Sequence, residues 1–180
     1  MIGLIASVVS AAVLKSWIPL TAALAYILSI KGRKTALLGF SLYLTSIIAD
    51  PGFDSVYTIK GQKEFILLGM TTLLVLNDVL QRGILTENKW DIPLSGVLAI
   101  SAVNDYTLFA ALISTAVYKL YESFGKAALY FLTWLSTMGI VLLALKGKLP
   151  GIAAETFVIG ALGLLAVVVG GIRDINHAEV

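Results

Sequence analysis

Residues 92–118 read IPLSGVLAISAVNDYTLFAALISTAVY, an apolar run carrying Asn104 and Asp105 near its middle. A helix needs about 20 largely apolar residues to cross the hydrocarbon of a bilayer, and this run is long enough. Were it immersed in lipid, an ionised Asp105 would cost several kcal/mol, and it would have to be paired, wet, neutralised or used. The reading of this segment therefore sets both the expected fold and the expected function.

Five further apolar runs flank it, at 2–30, 35–49, 65–80, 127–145 and 152–172. The first is broken by Lys15, Ser16 and Pro19 and closes on Lys31, Arg33 and Lys34. Asp50-Pro51-Gly52 marks a turn, 81–91 is polar, and 146–151 is a short basic connection. Trp17, Trp90 and several tyrosines fall near the ends of runs, where an aromatic belt would sit. The expected fold is all-α, a polytopic transmembrane bundle of about six spans in a single integral-membrane domain, residues 1–180. Such a chain is a multi-pass cell-membrane protein with the lipid bilayer as its first partner.

Composition agrees with that expectation. Of 180 residues, 58% are hydrophobic and 13% charged, whereas soluble domains carry roughly a quarter charged residues. A net charge of +2 leaves no polyanion-binding tail, so nucleic acid is not an expected partner. With no cysteine, disulfides, thiolate zinc, iron–sulfur ligation and a cysteine nucleophile are excluded. The only histidine, His177, lies in the polar tail, away from any buried triad. No cofactor motif occurs and no metal is assigned. The apolar start lacks a basic leader and is interrupted by Lys15, so it reads as a retained segment rather than a cleaved signal.

Basic residues give a weak orientation. One face would hold Lys31, Arg33, Lys34, Arg82, Lys89, Lys146 and Lys148, the other Lys60, Lys63, Lys119, Lys126 and Arg173; the richer face is expected inside. Small residues four apart, such as Ala6/Ser10, Ala110/Ser114 and Ala166/Gly170, let helices approach closely. Split near Asp91, each half holds three runs and begins with a long, centrally polar one, the layout of a 3+3 inverted repeat. A competing echo, Gly-x7-Asn-Asp at 69–78 and again at 96–105, implies a different alignment.

The candidate substrate- or ion-binding residues are Asp105, Asn104, Asp78, Asn77 and Lys15. Lys15 and Asp105 each lie midway along a run, so they can meet at one depth as a charge pair lining a solute or proton path. The two Asn-Asp pairs offer oxygen ligands for a hard cation, or a carboxylate for a proton. Each has a structural reading beside the functional one. Asp78 is four residues from Arg82, the spacing of a helix-surface salt bridge; Lys15 can snorkel; Glu155, at the start of the sixth run, suits a helix dipole. Asp50 and Asp54 read as a solvated turn. Two aspartates also invite an intramembrane hydrolase, yet the Gly-x-Gly-Asp sequence is missing. The expected function is transport or membrane binding of a small solute or ion, an enzyme being the weaker expectation. The alternative is a non-catalytic anchoring or scaffold subunit of a larger membrane complex, and the expected partners beyond lipid are a small solute or ion and either further copies of the chain or other membrane subunits.

Overall fold

The helices are short because the sequence breaks them where its apolar runs look continuous. The computed structural model describes residues 2–49, 54–81, 90–149, 151, 153–163 and 165. Helix α1 spans Ile2–Leu14, and Lys15 ends it in the left-handed region at φ 51. Ser16 N–H then donates to Ala11 O at 3.1 Å, the six-to-one bond of a Schellman-type stop. A 3-10 turn at Ile18–Ala22, with Pro19 near its start, leads into α2, Ala23–Ser29. α3, Arg33–Ile48, folds back antiparallel on α2, with Thr35 Oγ1 donating to Leu28 O at 2.7 Å and Thr21 meeting Ser46 at 2.7 Å.

α4, Ile59–Leu80, is the central element and touches α1, α2, α3 and α6. Thr58 caps it, its hydroxyl accepting from Gly61 N–H at 3.0 Å. α5, Asp91–Ser101, and α6, Asp105–Phe124, form a hairpin across the turn at 102–104. Gly125, at φ 54, turns the chain directly into α7, Lys126–Ala144. A last helical stretch covers 153–163; Trp134 Nε1 on α7 donates to Leu162 O at 2.9 Å.

Two apolar clusters lie on either side of α4. Leu67 and Leu74 join Ile2, Ala6 and Val9 of α1, Leu98 of α5, and Leu108, Leu112 and Ala116 of α6. Val75 and Val79 join Ala22, Ala25 and Tyr26 with Ala36, Phe40 and Tyr43 of α3. The spacing explains the split: on α4, positions 67 and 74 fall on one helical face, and 75 and 79 on the next.

The six-span bilayer fold is corrected by this architecture. Among the described residues, no helix is long and apolar enough to cross a membrane. The 2–30 run is three pieces, because Lys15 and Pro19 break it. The 92–118 run is divided at 102–104, where Asn104 stops one helix and caps the next. α4 and α6 are 22 and 20 residues long, but the first carries Lys60, Lys63, Glu64 and Asp78, and the second Asp105, Lys119 and Glu122. The all-α class stands. The polytopic bundle and its 3+3 inverted repeat, the multi-pass cell-membrane localisation, the bilayer as partner and transport across it do not. Apolar composition misled here because it is spent on two faces at once. Many large apolar side chains lie outside the core, among them Val103 at 92% exposure and Ile59 at 89%.

Candidate functional site

The most strongly built polar feature is a ladder along α4. Thr71 and Asp78 engage α1, Asp78 also α2, Thr72 engages α3 and Asn77 α6. Thr71 Oγ1 and Ser10 Oγ of α1 are 2.7 Å apart, both fully buried. Thr72 Oγ1 meets the Tyr43 hydroxyl of α3 at 3.2 Å. Asn77 Oδ1 accepts from Ser123 Oγ of α6 at 2.5 Å, and Ser123 in turn accepts from Gln81 Nε2 at 2.5 Å. A helix held by polar rungs from four neighbouring helices cannot slide by a turn without breaking several of them.

Asp78 is the anchor. Its Oδ2 accepts from Gly3 N–H at 3.0 Å and from the Tyr26 hydroxyl at 2.7 Å. The approach depends on glycine, since a Cβ at position 3 would stand 2.5 Å from the Tyr26 hydroxyl and 2.6 Å from Val75 N. Burial pushes the Tyr26 phenol far above its usual range, and the Asp78 charge and hydrogen bond push it further. Tyr43 is pushed up to about 12 by burial, the Thr72 hydrogen bond pulling the other way. Both phenols therefore stay protonated across the physiological range, and Tyr26 serves the carboxylate as a fixed donor. Among the described residues, one donor in this region has no partner: Asn77 Nδ2, on a residue 2% exposed.

Asp105 and Asn104 occupy a different place. Asn104 caps α6, its Oδ1 accepting from Tyr106 N–H at 2.9 Å. Asp105, the first residue of α6, has a half-exposed side chain and pairs with Lys63 Nζ at 2.8 Å. Lys63 and Asp78 are 15 residues apart on α4, about 22 Å at 1.5 Å per residue. The two Asn-Asp pairs thus sit toward opposite ends of that helix and do not converge. Lys15 is exposed at the end of α1, and Asp105 has Lys63 where Lys15 was expected.

Two further charged side chains are buried, Lys119 and Glu155. Lys119 of α6, its side chain 4% exposed, lies 2.5 Å from Asp91 Oδ1 and 2.8 Å from Glu122 Oε2. Burial works against its charge, yet the Asp91 and Glu122 carboxylates beside it outweigh that and raise the Lys119 pKa. The Asp91 contact is an ion pair by distance, with Oδ1 off the hydrogen-bond angle. Glu155, expected merely at a helix start, is 3% exposed and accepts from Ser55 Oγ at 2.6 Å and Val56 N–H at 3.0 Å. It ties the 153–163 stretch to the segment before α4. Lys119 continues the helical spacing of Leu108, Leu112 and Ala116, a pattern that places it on their face. Tyr26, Gly3 and Ser123 had no comparable signal.

No group of three or more potential metal ligands occurs among the described residues. Arg82, the proposed partner of Asp78, lies outside the described residues, as do Asp50 and His177. No family model, curated protein or solved structure matches this chain.

Proposed function

We propose that the chain is a self-associating structural subunit, a helical block that assembles with copies of itself through the outer face of α6. One observation supports this reading. α6 turns Leu108, Leu112, Thr115, Ala116 and Lys119 into the core, while a second apolar stripe lies outside. Tyr106, Ala110, Ile113, Tyr121 and Phe124 are exposed, with Val117 half-buried between them. Their three- and four-residue spacing is that of one helix face. A helix apolar on two opposite faces buries both when it works, and a contiguous exposed apolar surface marks an interaction site.

The stripe is also self-complementary. Two copies of α6 laid antiparallel about a twofold centred at position 115 set Tyr106 against Phe124 and Ile113 against Val117. Bulk then meets bulk at the ends, around a slimmer middle, the isologous arrangement of most homodimers. In this reading Asn77 and Asp78 fix the helix register that presents the stripe, and Asn104 with Asp105 sets where α6 begins. Lys15 sets where α1 stops.

The absence of native cysteine makes a clean test. Single Ile113→Cys and Val117→Cys proteins, mixed and oxidised in detergent-free buffer, are expected to cross-link into dimers. Ser136→Cys, exposed on α7, is expected to cross-link several-fold less. Equal cross-linking at all three positions, or none, would remove the proposal.

A further inference from the structure

We infer that α5 is a latched flap, held shut by the Asp91–Lys119 pair and hinged at 102–104, whose opening uncovers the apolar seat of Leu98. α5 is the least embedded helix around the first cluster, with Leu98 its only fully buried residue. Ile92, Pro93, Gly96, Val97, Ala99 and Ile100 are exposed. No side chain caps its start at Trp90. Its last turn runs out through a long 3.4 Å bond from Val103 N–H to Ile100 O. Among the described residues its attachments are Leu98 in the cluster with Ala6, Leu108 and Leu112, the partly buried Leu94 against the same cluster, the short turn to α6, and the Asp91 carboxylate on Lys119. Elements with few buried contacts are the ones that open locally, below the free energy of global unfolding.

The ionic arrangement suits a latch better than a permanent brace. Breaking a buried pair normally strands a charge without a partner. Here Lys119 keeps Glu122, three residues along its own helix, at 2.8 Å. When α5 lifts, the ammonium is still matched. The departing Asp91 goes to water beside the exposed Trp90, where a carboxylate in the first turn of a helix is favourable in any case. One carboxylate moves with the flap and the other stays with the lysine, so the site is compensated in both states.

The two carboxylates therefore have opposite effects on opening. Hydrogen exchange of the full chain, followed by mass spectrometry under native conditions, reads this directly. Asp91→Asn weakens the closed state alone, and exchange of α5 amides at 95–101 is expected to rise tenfold or more, with the α4 amides at 71–75 unchanged. Glu122→Gln removes the charge that compensates Lys119 when the flap is open, and α5 exchange is expected to slow severalfold. The inference is overturned if Asp91→Asn leaves α5 unchanged or speeds α5 and α4 together. It is equally overturned if Glu122→Gln speeds α5, as a brace with two supports would. Should Asp91→Asn fail to fold, Glu122→Gln still decides between the two.

Discussion

Lys15 carries a structural role that its charge alone does not suggest. Charge in an apolar run suggested a buried ion, but its backbone is what matters. At φ 51 it is a non-glycine residue in the left-handed region, where a Cβ costs roughly 1 kcal/mol or more. Lys15→Gly is expected to raise stability by about 1 kcal/mol, seen as a higher denaturant midpoint at unchanged slope. At Asp78 the expected outcome is the reverse. Asp78→Ala strands the Gly3 N–H and the Tyr26 hydroxyl, at about 1–3 kcal/mol for each buried donor, and chemical denaturation should register the loss. Burial leaves its mark on pH dependence as well. Tyr26 and Tyr43 have raised pKa values in the folded protein, as has Lys119. The folded state thus holds protons that the unfolded chain releases from about pH 10 upward. Stability is complete below that point and falls as pH rises beyond it. Tyr43→Phe should flatten the fall between about pH 10 and 12 in pH-dependent thermal melts.

Helix boundaries were legible wherever a backbone rule wrote them into the sequence. Pro19 and the break after Lys31 lie where elements end or turn. Asn104 was visible too, as a polar residue in an apolar run, but its role is to cap α6 by accepting from Tyr106 N–H. Asn104→Ala is expected to cost about 1 kcal/mol and Asn104→Gly only a few tenths, the signature of a cap in equilibrium unfolding. Loss of a buried ligand would not spare glycine in this way. The site was less legible than the elements. Asn77 and Asp78 were singled out from the sequence and are buried, yet their partners come from residues 46, 52 and 75 positions away. Periodicity carries no information about such distant pairing. Asp105 looked central only because the run around it was taken as one helix; once the chain breaks at 102–104, it becomes an exposed first-turn residue.

For the whole molecule, the apolar content is the quantity that needs an account. Two clusters around α4 use only part of it, and α6 shows where the rest goes, with one stripe turned inward and another outward. A sequence apolar on both faces reads from composition as lipid-facing. The helix lengths and charges, with the breaks at Lys15 and Asn104, do not supply a span among the described residues. Covering the outer face with a second copy reconciles the composition with short, charged helices. The outer stripe also makes a specific expectation: Ile113→Lys should shift the assembly toward monomers by tenfold or more in dissociation constant, because a lysine at its centre would be buried without a partner.

The most direct measurement is the molar mass of the purified chain by light scattering coupled to size exclusion, in aqueous buffer without detergent, alongside its helical circular dichroism. The account predicts a folded, helical assembly with a mass of at least twice 19.2 kDa. A folded monomer, or a chain that stays folded only inside detergent micelles, would contradict it.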